Sequence, residues 1–125
     1  MFGQTKAFSG FAVDDVPQAK QFYGETLGLS LSDAGEGAFV IEIAGDTNVL
    51  VYPKPDHTPA SFTVLNFPVD DVEAAVGALG ERGVTFEHYL GTEIETDEKG
   101  IFRGGGPLIA WFKDPAGNVL SVLEG

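Results

Sequence analysis

Small and apolar residues dominate positions 6–13 and read as a strand. Asp14 and Asp15 end that run, and Val16-Pro17 follows: an aspartate N-cap with proline in the first turn marks a helix start. From Val16 the spacing becomes that of an amphipathic helix, with Phe22, Tyr23 and Leu27 on one face and Gly28 as its stop. Three short strands are predicted next, at 30–34, 38–44 and 48–54, with Gly35-Glu36-Gly37 and Gly45-Asp46-Thr47 as the turns. Pro53, Pro55 and Pro59 stiffen the connector at 54–60. The rhythm then restarts. A strand at 61–69 leads to Asp71 as a cap and a helix at 72–82 with Val72, Ala75, Val76 and Leu79 inward, ended by Gly83. A strand at 84–90 follows, and 108–113 pairs with 119–124 in a hairpin that turns at Asp114-Pro115-Ala116-Gly117-Asn118.

The restart is a sequence repeat. Phe11-Ala-Val-Asp-Asp-Val16 returns as Phe67-Pro-Val-Asp-Asp-Val72 at an offset of 56, carrying Ala19 to Ala75, Gly24 to Gly80 and Glu25 to Glu81. Asn48-Val-Leu-Val51 returns as Asn118-Val-Leu-Ser121 at an offset of 70. The gap between the two offsets implies an insertion in the second copy, and the Gly- and charge-rich stretch 91–106 is its expected place. On this alignment Ile41 is the first-copy counterpart of Trp111, and Phe39 that of Ile109. The expectation is an α+β fold of two tandem βαβββ modules, 6–54 and 61–124, within one domain spanning 1–125.

Composition narrows the partners. Seven Lys and Arg stand against nineteen Asp and Glu, a net charge of −12 over 125 residues. Such a surface repels phosphate backbones and anionic membranes and attracts cations, which argues against nucleic acid and membrane as partners. The absence of cysteine removes disulfides, thiolate metal sites and cysteine nucleophiles. No apolar run approaches the length of a membrane span, and the opening MFGQTKAFSG lacks the blocks of a signal peptide, so a cytoplasmic location is expected.

Two βαβββ copies with Val-x-Asp before each helix, the Phe22-Tyr23…Leu27-Gly28-Leu29 run, and the closing Asp114-Pro-x-Gly-Asn118 hairpin resemble the vicinal oxygen chelate superfamily. That group includes glyoxalase I, extradiol dioxygenases and bleomycin-resistance proteins. The resemblance implies an open, cleft-bearing mixed β-sheet with the helices outside, and a homodimer. It also implies where a metal would be held. The positions expected for the four ligands are Phe8 and Val64, seven residues before Asp15 and Asp71, together with Val51 and Ser121 in the last strand of each module. None is an imidazole or carboxylate, so no metal and no other cofactor is expected, and metal-dependent glyoxalase or dioxygenase activity is disfavoured.

With the metal positions vacated, Phe8, Phe39, Ile41, Val51, Val64, His88, Ile109, Trp111 and Ser121 are the candidate ligand-contacting residues of an inter-module cleft. The resemblance implies a core position for Phe112, which turns Trp111, Ile109 and Ser121 to the opposite face. This surface suits a small apolar or aromatic ligand, including a cationic one, bound without chemistry as in bleomycin-type resistance proteins. The alternative is a lyase- or dioxygenase-like enzyme with an altered, metal-independent site, for which Glu42, His88 and Tyr89 are the available acid–base groups. Glu42 sits either at the solvent edge or in an apolar cleft, and His57 in the connector reads as a solvated loop histidine. The acidic cluster Glu93, Glu95, Asp97 and Glu98 lacks the spacing of a calcium loop and reads as a solvated loop, while Gly104-Gly105-Gly106 lacks the context of a phosphate loop.

Overall fold

The structure is a computed structural model that describes residues 1–45 and 47–124. The chain forms two compact units, Met1–Thr58 and Pro59–Gly125. Each carries its own four-stranded mixed sheet, and the α+β fold of two βαβββ modules stands.

In the first unit β1 (Ser9–Val13) leads to α1 (Val16–Gln21). Asp15 caps α1 through a hydrogen bond accepted from the Gln18 N–H at 3.0 Å, and proline occupies the first turn. The helix does not continue as an α-helix to Leu27. At Phe22–Thr26 it widens into a π-helical turn, which buries Tyr23 and leaves Phe22 and Leu27 half-buried. β2 (Ser30–Gly35), β3 (Ala38–Ile43) and β4 (Thr47–Pro53) complete the sheet in the order β1-β4-β3-β2, with β1 and β4 parallel.

Cross-strand pairing sorts the side chains into two faces. Phe39 pairs with Val51, Val51 with Phe11, and Ile41 with Val49 and Leu31. These residues share the face that α1 covers: the Phe11 ring lies 5.9 Å from Tyr23, and the Lys20 ammonium of α1 sits 5.9 Å from the Phe39 ring centre. Phe39, Ile41 and Val51 have no exposed surface. Burying each such side chain stabilises the fold by roughly 1.5–3 kcal/mol.

The second unit repeats the plan with β5 (Thr63–Val69), α2 (Val72–Glu81), β6 (Ile101–Phe102), β7 (Ile109–Lys113) and β8 (Val119–Glu124), in the order β5-β8-β7-β6. Asp71 accepts from the Ala74 N–H at 3.1 Å, and the Glu124 carboxylate of β8 accepts from the Val72 N–H at 3.1 Å, so two carboxylates serve the first turn of α2. Phe112, Leu120, Val122, Ala110 and Ile101 are buried in the core. The β7–β8 turn is held by Asp114, whose carboxylate accepts from the N–H groups of Ala116 and Asn118 at 3.0 and 2.8 Å and from the Asn118 side-chain amide at 2.9 Å. Gly117, at φ +89°, takes the left-handed position the turn requires.

Two expectations are corrected here. Residues 84–90 do not form a strand; only Phe86 bridges β7, opposite Phe112. The fourth strand is instead β6, inside the stretch expected to be a loop. In the first unit Leu31 and Asp33 of one continuous edge strand pair with Ile41 and Phe39. In the second, the corresponding partners Phe112 and Ala110 are met by Phe86 and Ile101, with residues 87–100 interposed. The insertion therefore splits the edge strand.

The second correction concerns the repeat. Phe39 pairs with Val51, and Ala110 pairs with Val122; both members of the second pair lie 71 residues beyond those of the first. An offset of 70, suggested by the repeated Asn-Val-Leu, is one residue out. In a strand one residue reverses the face. Ile41 thus corresponds to Phe112, and the counterpart of Trp111 is Val40.

Candidate functional site

Each sheet has one face turned to its helix and one turned away, and the candidate residues divide between them. Phe39, Ile41 and Val51 lie on the helix side of the first unit. They are core residues and line no open surface. The away-facing positions of that unit are Phe8, Val40, Glu42, Asn48 and Leu50. Phe8 is 69% exposed. Together with Lys6, Ala7, Val40, Thr47, Asn48 and Leu50 it borders a recess of about 390 Å³. Glu42 is exposed, paired in register with Asn48 and Ser30, which settles it at a solvated position.

In the second unit the alternation places Trp111, Ile109 and Ser121 opposite Phe112, as the sequence indicates. Trp111 is half-buried, and its indole N–H donates to the Thr63 hydroxyl at 3.2 Å. Tyr89 packs edge-on against it with ring centres 5.4 Å apart, and Phe102 lies 6.2 Å away on a tilted plane. Ser61, Phe62, Thr63, Tyr89, Ile94, Trp111 and Val119 enclose a recess of about 280 Å³. Burial, helped by the nearby Glu87 charge, pushes the Tyr89 hydroxyl above its ordinary pKa, so it keeps its proton near neutrality. Ser121 is wholly buried and donates to the Asn66 side-chain oxygen at 2.6 Å. Val64 sits half-buried at an irregularity in β5, between Thr63 and Leu65.

His88 is exposed, with Nδ1 3.2 Å from the Asp97 carbonyl, and does not border the recess. Tyr89, treated at the sequence level only as an acid–base candidate, does. So do Phe62 and Ile94, which sequence reasoning missed: Ile94 belongs to the insertion, where no periodicity gives a side chain its direction. His57 donates its backbone N–H to the Lys54 carbonyl at 2.9 Å; its Nε2 is enclosed with no hydrogen-bond partner among the described residues.

The four positions at which the resemblance implies metal ligands can be tested against their chemistry. Phe8 and Val64 offer carbon. Val51 points into the core, and the register counterpart of Ser121 in the first unit is Leu50, also carbon. The Ser121 hydroxyl is engaged with Asn66. These residues do not fit a divalent ion. Among the described residues, no three His, Cys, Asp or Glu side chains converge as a metal site elsewhere. No helix among them is long and apolar enough to cross a membrane.

Comparison with known proteins gives a consistent picture. The sequence model of the family described as Glyoxalase/Bleomycin resistance protein/Dioxygenase superfamily matches residues 7–122. Among solved structures, TnmS3, an antibiotic binding protein from Streptomyces sp. CB03234, is 28% identical, with a TM-score of 0.66 and 97% of each chain covered. A glyoxalase/bleomycin resistance protein from the same Streptomyces strain is also 28% identical, with a TM-score of 0.61, 94% of this chain and 100% of that one covered. A protein of the glyoxalase family from Bacillus anthracis, at 17% identity, shares the fold with a TM-score of 0.68, covering 100% of this chain and 99% of its own. No match was found among curated protein sequences.

Proposed function

Because the chain belongs to the glyoxalase/bleomycin resistance protein/dioxygenase superfamily, we propose that it is a binding member of that group, holding a small apolar or aromatic ligand without a metal. The observation that carries this reading is the lining of the two recesses on the faces turned away from the helices. They present Phe8, Val40 and Leu50 in one unit and Phe62, Ile94, Trp111 and Val119 in the other, with hydroxyls from Ser61, Thr63 and Tyr89 to orient a ligand. A net charge of −12 adds a preference for cationic over anionic ligands. The similarity to an antibiotic binding protein points the same way.

A metal-independent enzyme is the second reading, and Tyr89 is the observation that favours it. Among the described residues lining the recess beside Trp111 it is the one titratable side chain, and its hydroxyl, protonated near neutrality, is the available general acid. Titration of the protein with candidate ligands, followed by Trp111 fluorescence with product analysis in chelator, separates the two. Saturable quenching without product supports the binding reading; turnover that survives chelation replaces it with the enzyme. The same proposal places the protein in the cytoplasm as a homodimer. Leu90, large, exposed and outside both recesses, is a surface a second copy would cover, and sedimentation at micromolar concentration tests it.

A further inference from the structure

The second unit differs from the first by an insertion that is folded rather than loose, and its fold has a single organising side chain. Asp97 Oδ1 accepts from the N–H groups of Lys99 and Ile101, each at 2.9 Å. Its Oδ2 accepts from Arg103 Nε at 2.8 Å, and its own N–H donates to the Ile101 carbonyl at 2.8 Å. The other end of the Arg103 guanidinium meets Glu73, on α2. One arginine thus ties the insertion to a helix of the sheet's scaffold. Two further contacts carry the order inward: the Thr96 hydroxyl accepts from the Tyr89 N–H at 3.3 Å, and the Glu95 carboxylate from the Gly91 N–H at 3.2 Å. The inner wall of the insertion is Tyr89 and Ile94, and these two close the recess over Trp111.

We propose that Asp97 and Arg103 are positioning residues that set the wall of a selective recess, and that this recess takes a flat aromatic molecule that is neutral or cationic. The inference rests on the binding reading given above. Flatness follows from the geometry: Trp111 and Tyr89 stand edge to face, so a ring slides against the indole while Tyr89 and Ile94 limit its width. A volume near 280 Å³ admits two or three fused rings. The charge preference follows from the lining, which includes no cation among the described residues, in a chain whose net charge is −12. A carboxylate or sulfonate held there would exchange its hydration for the hydroxyls of Ser61, Thr63 and Tyr89 with no cation to balance its charge, whereas a cation is attracted by the ring faces.

The test uses two probes of similar size on the intact protein: proflavine, a flat aromatic cation, and 1-anilinonaphthalene-8-sulfonate, an aromatic anion. Trp111, the only tryptophan, reports on both. The wild type is expected to show saturable quenching by proflavine at least tenfold tighter than by the anion. Arg103→Gln and Asp97→Asn should each weaken proflavine at least tenfold and shift Trp111 emission to the red, with the circular dichroism of the fold unchanged. Arg103→Lys should recover part of the affinity. Ile94→Ala, which leaves the clasp untouched, should also weaken proflavine. If neither probe binds the wild type, the binding reading itself falls. If proflavine binds the wild type and Arg103→Gln equally, the recess binds but the clasp does not set it, and this inference alone is overturned. Tighter binding of the anion overturns the charge assignment.

Discussion

The two units are built on one plan and finished differently at the same place. In the first, β2 is a continuous edge strand, and the face turned away from α1 is left open around Phe8, Val40 and Leu50. In the second, the edge is cut between Phe86 and Ile101, and the inserted chain is folded back so that Tyr89 and Ile94 stand beside Trp111. The core is indifferent to the change: Ile41 and Phe112 occupy matching buried positions with no exposed surface. A sheet tolerates a long interruption at its edge because only one side of that strand carries ladder hydrogen bonds. The pair teaches that the repeat supplies the scaffold and the insertion changes what stands on its open face.

The largest effects should come from breaking the matched core. Phe112→Ala is expected to cost about 3–5 kcal/mol and Ile41→Ala about 2–5 kcal/mol, measured by denaturant unfolding. Their neighbours on the other face, Trp111→Ala and Val40→Ala, should each cost less than half as much, with Trp111→Ala instead weakening ligand binding in a calorimetric assay. Equal costs for Ile41→Ala and Val40→Ala would show that the two faces of β3 are misassigned.

Glycine gives a sharper pair. Gly35 and Gly100 share a positive φ, +85° and +84°. A Cβ on Gly35 meets open space, whereas on Gly100 it comes 2.8 Å from the Phe86 Cβ. Gly35→Ala should therefore cost about 1 kcal/mol, the ordinary left-handed penalty. Gly100→Ala should cost more by thermal unfolding, because the insertion must also move off Phe86. Identical melting temperatures for the two variants would mean that Gly100 and Phe86 are not packed together.

Acid should separate the units next. Partial burial tends to raise the Asp97 carboxyl, but hydrogen bonds from Arg103, Ile101 and Lys99 and the arginine charge outweigh it, so its pKa lies below the ordinary 3.8. A depressed folded pKa contributes stability that is fully present above the unfolded value and is lost as pH falls through the folded one. The melting-temperature gap between wild type and Asp97→Asn should hold from neutrality to about pH 5 and shrink below the ordinary carboxylate range. A gap unchanged at pH 2.5 would rule out the ionised clasp. The smallest effect is expected at Lys54, whose pairing with Asp56 at 2.7 Å raises the lysine pKa and lowers that of the aspartate on a fully exposed surface. Lys54→Ala should leave the melting temperature unchanged within error at physiological salt.

Much of the scaffold was legible because it is written in local chemistry. Asp15 and Asp71 cap the helices they announce, and Asp114 to Asn118 form the turn that Pro115 and Gly117 indicate. The family resemblance places Phe112 inside, and alternation then turns Trp111 to the opposite face. The first unit's face was not legible by the same route. Its assignment was borrowed from the second through Asn-Val-Leu, a string that recurs one residue out of structural register, and so the buried Phe39, Ile41 and Val51 stood in for Val40 and Leu50. The split edge was hidden for a different reason. Phe86 bridges β7 as an isolated residue, and Ile101-Phe102 is too short for a period to show. Ile94 and Phe62 reach the recess through loop geometry, which hydrophobic patterning does not encode.

The strand order also dictates a timetable for synthesis. In both sheets the strand made last, β4 or β8, lies second in space, between the strand made first and the other two. As the chain is produced, β1 and then β5 emerge with no neighbour to accept their hydrogen bonds, and each must wait for its whole module. For β5 the wait is lengthened by the insertion, and Leu65 and Phe67 remain open to any passing chain meanwhile. Pro68 in that strand lacks a backbone donor, so the waiting edge offers one hydrogen bond fewer to another unfinished copy.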